Sequence, residues 1–226
     1  AGAGVVAIDT SATDINDLDA IQMLWVLRRM RDEGKYLDGR EIKNPPMFFL
    51  GAAASPFSSN VKFQALREQK KVNAGAQFFQ TNLIFDVDGM ERWLNELAKR
   101  NVLDKVFILA GVTPIKSLKM AQRLADVPGV YLPKEILHRI EVADRAGNAQ
   151  EEGIQIALEI ISKIRGYEKQ GIHGIHLMPV GWDEVIPRIV LEAGLTRRAQ
   201  ALPQFMEVRS SGLGVPAVMR KILGSR

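Results

Sequence analysis

The chain is predicted to fold as an α/β protein with a parallel sheet covered by helices. Short, nearly continuous apolar runs alternate with amphipathic segments of helical period, which is the pattern of repeated βα units. Turn residues bound each apolar run. Strands are predicted at residues 4–8, 47–52, 77–81, 106–110 and 172–178. Pattern alone leaves open whether they form a complete open sheet or five of the eight strands of a (β/α)₈ barrel.

The first predicted helix spans residues 18–33. We expect Asp17 to cap its amino end and Gly34 to end it. One face has the i, i+3, i+4, i+7 spacing of a helix that packs on a core. The residues of that face are Leu18, Ile21, Leu24, Trp25 and Arg28.

Later helices and the domain limits follow from similar signals. Asp88 is expected to cap a helix with an apolar face, and the turns at residues 73–76 and 192–195 are expected to end helices. A helix is predicted at residues 133–143, followed by a polar loop at 144–150. Residues 1–195 are predicted to form the βα domain and residues 196–226 a basic C-terminal extension. The face of the helix after Asp88 carries Met90, Trp93, Leu94 and Leu97.

Composition excludes several classes of protein. The 226 residues are enough for one ordinary domain, and 46% hydrophobic with 25% charged residues argues against global disorder. No apolar run approaches the ~18–20 residues that span a bilayer, and the amino end lacks a signal-peptide pattern. Without cysteine, disulfides and thiolate metal sites are impossible. We expect a cytoplasmic protein.

The formal net charge of +4 raises the question of nucleic-acid binding. The charges are mostly interspersed, and the excess lies in residues 196–226, whose charged residues are nearly all basic. An anionic cofactor or a partner surface explains this balance as well as RNA does. We therefore expect no nucleic-acid partner.

Functional residues are expected after the strands, because parallel βα folds form their sites at the carboxyl ends. These ends are polar but contain no Ser-His-Asp set, P-loop or GxGxxG motif. His173 and His176 flank a strand on opposite faces, which favours structural roles over a shared metal site. A site with few titratable groups is typical of a reaction whose chemistry a cofactor supplies.

Three basic residues and one amide are the candidates that the residues themselves indicate. Lys70 and Lys71, with Arg67 one turn earlier, either stabilise a helix end or bind a phosphate group. Asn82 ends a predicted strand, where its amide either caps a loop or both donates to and accepts from a heterocycle. Both interpretations stay open for each residue.

Several consecutive segments resemble the methylenetetrahydrofolate reductase family. Their order along some 180 residues makes the resemblance specific, which a single segment would not. The segment 151–161 (EEGIQIALEII) resembles the helix before the family's last strand. The main segments are LDAIQMLWVLRRMRDEG (18–34), FFLGAAASPF (48–57), REQKKVNAGAQFFQTNLIFDV (67–87), FILAGVTPIKS (107–117) and GIHGIHLMPVGW (171–182).

The resemblance implies a (β/α)₈ TIM barrel of which this chain carries strands four to eight. It also implies a flavin, usually FAD but with FMN as an alternative, and reduction of 5,10-methylenetetrahydrofolate to 5-methyltetrahydrofolate. NAD(P)H is the expected electron donor in many members. One-carbon metabolism and methionine biosynthesis would be the setting.

Site residues follow from the resemblance position by position. Lys70, Lys71 and Arg67 would approach the flavin's phosphates or ribityl chain. Ala53 and Ser55 would line the flavin, although Ser55 replaces a frequent tyrosine. The remaining assignments are Ala76 in the turn beneath the flavin and Asp9 as the acidic residue beside the flavin ring. Asn82 lies where relatives contact the folate substrate, and Leu118 lies near a position that stacks on the substrate or the nicotinamide.

The chain departs from the family pattern at its amino-terminal end. Ile8 stands where relatives have glycine before the acidic residue, so an Asx-turn stays an alternative role for Asp9. No segment supplies the first three strands. We expect them to be absent from this sequence, present on another chain, or dispensed with in an unusual subunit. A homo-oligomer or a partner subunit is expected, and the alternative function is a noncatalytic reductase-like subunit that docks a partner chain.

Overall fold

A computed structural model describes residues 18–195. Within them, helices and strands alternate along most of the chain. The strands are β1 (Gly51–Ala54), β2 (Phe78–Leu83), β3 (Phe107–Val112) and β4 (Gly174–Leu177). The helices are α1 (Ala20–Asp32), α2 (Val61–Ala74), α3 (Val87–Ala98), α4 (Leu118–Ala125), α5 (Lys134–Arg145), α6 (Ala149–Arg165) and α7 (Ile186–Glu192).

The four strands form one parallel sheet in the order β1-β2-β3-β4. Right-handed crossovers between sequential neighbours place every connecting helix on the same face. A doubly wound sheet instead reverses its strand order at a switch point. The sequential order therefore indicates a segment of a barrel. Four of the five predicted strands are confirmed within one to four residues at each end, and the strand predicted at 4–8 lies outside the described residues.

The two faces of the sheet differ in burial. Ala54, Phe79, Ile108 and Ala110 face the helices and are fully buried. The opposite, inner face carries one layer in which Ala53, Gln80, Leu109 and Gly174 are register partners. Ala53 is exposed, and the other members of this layer are half-buried. Helices thus cover one face, and the inner face stays partly open among the described residues.

Two predicted helix caps are wrong by two residues. Helix α1 begins after Asp19, whose carboxylate accepts from the N–H groups of Ile21 and Gln22, while the Gln22 side chain accepts from the Asp19 N–H. This capping box is a stronger start signal than the predicted Asp17 cap.

Helix α3 likewise starts after Asp86 instead of Asp88. The Asp86 carboxylate accepts from the Gly89 N–H at 2.8 Å. A Cβ at Gly89 would collide with that carboxylate, so the glycine makes the earlier cap possible. Asp88 lies in the first turn instead, where its charge still favours the helix dipole.

The predicted core face of α1 is only partly buried. Leu24 is buried, but Trp25 is 42% exposed and lies under the Arg29 guanidinium at 5.6 Å. Arg28 crosses to α2, where its guanidinium donates to the Asn73 carbonyl oxygen at 2.7 Å. Gly75 ends α2 with φ of +127°, as the 73–76 turn predicted.

In the second half of the described chain, the polar loop predicted at 144–150 is shorter than expected. Helix α5 continues to Arg145 and α6 begins at Ala149, so only three residues connect them. Arg139 joins the two helices through ion pairs to Glu152 and Glu159.

No helix in the described part is both long and apolar enough to cross a membrane.

Candidate functional site at the carboxyl ends of β1 and β2

The side chain of Asn82 lies where three segments meet. Its amide nitrogen is 3.5 Å from the hydroxyl oxygen of Ser55, the residue that follows β1. The connection between α4 and α5 brings Gly129 to the same point, because a Cβ there would lie 2.9 Å from the Asn82 amide nitrogen. Gly129 has φ of +79°, a conformation that favours glycine. The carboxyl ends of β1 and β2 therefore form a polar site, as expected from the fold class.

Two aromatic residues hold the connecting segment over these strand ends. Tyr131 forms an isolated parallel bridge with Ile84, just after β2. Its ring lies 6.2 Å from the ring of Phe57, in the loop after β1. Tyr131 remains 51% exposed, so the contact with Phe57 leaves much of the Tyr131 side chain at the surface. Sequence reasoning missed both rings, since their loops are far apart in the chain.

A buried acid and a buried base on α2 fix the backbone at the end of β1. Glu68 is fully buried, and its carboxylate accepts from the Ser55 N–H at 3.0 Å and from the side chains of Gln64 and Trp93. The Lys71 ammonium donates to the Ala53 carbonyl oxygen at 2.7 Å. The two side chains thus hold the residues on either side of Ala54.

Burial is the main influence on both ionisable groups. It raises the pKa of Glu68, and the hydrogen bonds from Gln64, Trp93 and Ser55 oppose that shift only in part. Burial lowers the pKa of Lys71, against the attraction of Glu68. Glu68 was not predicted as a site residue from the sequence. Its position one turn before Lys71, on the side of α2 that carries buried Gln64 and Ala65, is the signal that could have indicated it.

The three basic residues predicted to bind the flavin do not share one face of α2. Lys71 is buried against β1, and Arg67 is exposed but close enough for its charge to lower the pKa of Lys71. Lys70 instead lines a surface groove between α1 and α2, together with Trp25. The structure therefore brings Arg67 and Lys71 towards the end of β1 and turns Lys70 away from it.

The remaining predicted residues are spread over the sheet. Ala53 is exposed on the inner face, next to Ser55. Ala76 is 3% exposed and lies at the amino end of β2, the opposite end from Asn82. Leu118 begins α4, where its N–H donates to the Asp144 carboxylate. Asp9 lies outside the described residues. As ligand contacts, all of these stay predictions.

The two histidines near β4 have different surroundings. The His173 ring accepts from the Ile108 N–H at 3.2 Å and meets the Phe107 ring edge-on, which suits a structural role. His176 pairs in register with Gly111 on the inner face, and its buried Nδ1 has no hydrogen-bond partner. Burial lowers the pKa of both rings. Among residues 18–195, no group of three His, Asp or Glu side chains is placed to hold a metal.

Comparison with known proteins identifies the family. The family model described as methylenetetrahydrofolate reductase matches residues 45–194, which is more than half of the chain. The chain belongs to the methylenetetrahydrofolate reductase family. The matched residues include all four strands, the Asn82 site and the Glu68–Lys71 pair.

Several methylenetetrahydrofolate reductases are similar in sequence to this reductase family member, at low identity. They include methylenetetrahydrofolate reductase 1 of Schizosaccharomyces pombe, 25% identical over 55% of this chain and 20% of the relative. The 5,10-methylenetetrahydrofolate reductases of Buchnera aphidicola from Acyrthosiphon pisum and of Escherichia coli are 25% and 24% identical, over 62% and 54% of this chain. The chain spans 47% and 40% of those two bacterial relatives.

A solved structure supports the same fold. An uncharacterized protein from Clostridium thermocellum, described as binding two copies of 5-methyl-5,6,7,8-tetrahydrofolic acid, superposes with a TM-score of 0.51 at 21% identity. The match covers 66% of this chain and 53% of that protein. The sequential parallel sheet of this reductase family member is therefore part of the family's TIM barrel.

Proposed function

We propose that this chain carries the later strands of a flavin-dependent methylenetetrahydrofolate reductase, which reduces 5,10-methylenetetrahydrofolate to 5-methyltetrahydrofolate. The observation that carries the proposal is the polar site around Asn82 and Ser55, at the carboxyl ends of strands that the family model covers. Barrel enzymes of this class form their active sites at that end.

The residues present fit a planar, anionic cofactor. At the β1 edge of the inner face, the small side chain of Ala53 leaves open surface beside Gln80. Arg67 supplies an exposed positive charge near Lys71. We propose that Ala53 and Ser55 line the ring of FAD or FMN and that Arg67 and Lys71, on the side of α2 that faces away from the Lys70 groove, serve its phosphates or ribityl chain. A bound flavin would supply hydride transfer, with NAD(P)H as the proposed donor.

The chain's own residues would bind and orient the substrate. Asn82 offers both a donor and an acceptor, which suits the edge of a pterin ring. Glu68 and Lys71 keep the backbone of Ala53 and Ser55 in place where these residues would line the flavin ring, which limits reorganisation during the reaction. Asp9 is proposed as the electrostatic partner of the flavin, and Leu118 as a second substrate contact.

The test begins with the protein from its native source. A denaturing mass spectrum gives the chain mass together with any released flavin. The protein is then mixed anaerobically with chemically reduced flavin and 5,10-methylenetetrahydrofolate, and the products are identified by mass spectrometry. Formation of 5-methyltetrahydrofolate with flavin reoxidation supports the reductase. Flavin-loaded protein that yields none contradicts it.

A second candidate is a noncatalytic reductase-like subunit that docks a partner chain. The partly open inner face around Ala53 and Leu109 favours it, because such a surface gains stability when covered. A native mass of 25.1 kDa without flavin, together with co-purification of a stoichiometric partner, would support this candidate over the reductase.

A further inference from the structure

Strand β2 contains one extra residue just before the candidate site. Gln80 pairs with Leu109 of β3, but the next pair in register joins Leu83 to Gly111. Between these two pairs, β2 has two residues and β3 has one, which is the arrangement of a β-bulge. Thr81 and Asn82 are the two residues within the bulge. Bulges next to active sites commonly redirect a side chain.

The Thr81 hydroxyl takes the place of the lost ladder hydrogen bonds. Thr81 is 3% exposed, and its oxygen accepts from the Gly111 N–H at 2.9 Å. The same hydroxyl donates to the Asn82 carbonyl oxygen at 2.7 Å. Both partners are backbone groups, so this one hydroxyl ties the bulge to β3 on one side and to the following residue on the other. Beyond the bulge, the Ile84 N–H donates to the Gly111 carbonyl and pairing resumes.

Strand β3 is shaped to accept the bulge. A Cβ at Gly111 would lie 2.6 Å from the Thr81 carbonyl oxygen and 2.9 Å from that of Asn82. Real side chains do not approach so closely, and a residue other than glycine would push the bulge away. The bulge of β2 can therefore lie this close to β3 only because residue 111 is glycine.

The Thr81 hydroxyl fixes the backbone from which the Asn82 side chain extends. Strands β1 and β2 pair without a shift as far as Ala54 and Thr81, so Asn82 follows Gln80 on the inner face, opposite Ser55. There the Asn82 amide lies beside the Ser55 hydroxyl and against Gly129. Because pairing with β3 is interrupted at this point, the hydrogen bond from the Thr81 hydroxyl to the Asn82 carbonyl holds the Asn82 backbone in place.

We propose that Thr81 is a positioning residue, whose hydroxyl holds the Asn82 backbone within the β2 bulge and thereby keeps the Asn82 amide in place for the substrate. The placement of Asn82 stands on the geometry above. The identity of the ligand, a reduced folate, rests on the proposed function.

The ligand test uses three variants of the flavin-loaded protein and 5-methyltetrahydrofolate as the probe. Thr81→Val keeps the shape of the side chain but leaves the Gly111 N–H unsatisfied, and we expect about tenfold weaker folate binding with unchanged flavin affinity. Thr81→Ser should restore binding. Thr113→Val removes another buried hydroxyl, which donates to the adjacent Pro114 carbonyl, and should bind folate as the wild type does.

A double-mutant cycle separates positioning from general damage. In an Asn82→Ala background, Thr81→Val should weaken folate binding no further, because the residue that it positions is already absent. Equal losses with and without Asn82, or equal losses of flavin and folate affinity, would overturn the proposal. If Thr81→Val does not fold, Thr81→Cys keeps a similar volume with a weaker donor and is measured in the same cycle.

A ligand-free measurement distinguishes failure of this proposal from failure of the proposed function. Amide NMR of the chain reports the Asn82 side-chain resonances and the exchange rate of the Gly111 N–H. Thr81→Val should shift the Asn82 side-chain resonances and speed exchange of the Gly111 N–H about tenfold, whereas Thr81→Ser should change neither quantity. If these changes occur but the wild type binds no folate, only the ligand assignment fails. If neither changes, Thr81 does not hold the bulge.

Discussion

Among individual residues, the environment of each polar side chain decides its role. Glu68 and Lys71 are one turn apart on α2, yet both are buried and each holds a different backbone group near the end of β1. Lys70, which lies between them in the sequence, faces the groove beside α1 instead. Adjacent lysines therefore contribute to different surfaces, because neighbouring positions on a helix point about 100° apart.

Glu68 should give the stability of the chain a distinctive pH dependence. Burial raises its pKa above the ordinary value of 4.5, so the folded state holds a proton that the unfolded chain has released. The associated stability is fully present below pH 4.5 and is lost as pH rises through the raised pKa. The free energy of unfolding of the wild type minus that of Glu68→Gln should therefore fall as pH rises above 4.5, measured by urea denaturation.

The matched control for this pH experiment is Glu96→Gln. A hydrogen bond from Lys99 lowers the pKa of Glu96, so its contribution is present above pH 4.5 and is lost only below it. Above pH 4.5, the free energy of unfolding of the wild type minus that of Glu96→Gln should stay constant, whereas the same difference for Glu68→Gln falls. A Glu68 difference that is constant or grows with pH would contradict the proposed effect of burial.

Gly129 should matter for ligand binding as well as for stability. Gly129→Ala places a side chain at positive φ, which costs about 1–2 kcal/mol, and also pushes on the Asn82 amide. Gly147→Ala is the matched control, since Gly147 has φ of +73° with no atom within 4 Å of its Cβ position. Urea denaturation should show similar losses for both. Only Gly129→Ala should weaken binding of 5-methyltetrahydrofolate, and equal binding by the two variants would contradict this.

Among the helices and strands, close approaches fix how helices lie on the sheet. Gly153 lies inside α6 where a Cβ would overlap the Ile115 carbonyl oxygen, just after β3. The helix buries a continuous apolar side that includes Ile154, Ala157 and Ile161. A small residue at 153 therefore lets the whole of α6 pack close to the end of β3.

Gly153→Ala should reverse the usual effect of alanine in a helix. Alanine stabilises a helix interior by about 1 kcal/mol relative to glycine, but the overlap with Ile115 forces α6 outward at a cost of about 1–3 kcal/mol. We expect a net loss of about 1 kcal/mol in urea denaturation. The exposed Gln155→Ala on the same helix should change stability by less than about 0.5 kcal/mol. A stabilised Gly153→Ala would show that the contact relaxes freely.

Across the whole described chain, aromatic packing closes the amino end of the inner face while the carboxyl end stays polar. Phe78 stacks on Phe49 with ring centroids 5.4 Å apart, and Phe107 meets Phe49 at 6.3 Å. Phe78 also covers Gly51 of β1, where any side chain would collide with its ring. These rings tie three strands together beneath the layer that contains Gln80.

Phe78→Ala should therefore destabilise the whole sheet. Phe78 is 7% exposed, and removing such a buried ring costs about 3–5 kcal/mol. Phe63→Ala is the control, because Phe63 is 56% exposed on α2 and its loss should cost little. Thermal or urea unfolding measures both. Similar small effects from the two variants would mean that the aromatic cluster does not stabilise the sheet.

Elements with strong local patterns could be predicted from the sequence. Apolar runs located β1 to β4, and the glycines at positions 75 and 194 marked helix ends at positive φ. The ordered segments that resemble reductases also indicated the family, which the family model confirms. The strands and helix ends depend on neighbouring residues, so periodicity and turn chemistry are sufficient to predict them, whereas the family followed from the resemblance alone.

Periodicity left the strand order open and the resemblance implied that of a barrel, but the contacts within the site emerged only from three-dimensional packing. Asn82 meets Ser55 across 27 residues of sequence, and Thr81 meets Gly111 across 30. The burial of Glu68, the separation of Lys70 from Lys71 and the bulge at Thr81 and Asn82 arise from packing between elements. Such contacts depend on which strands become neighbours and in which register, and no local pattern encodes that choice.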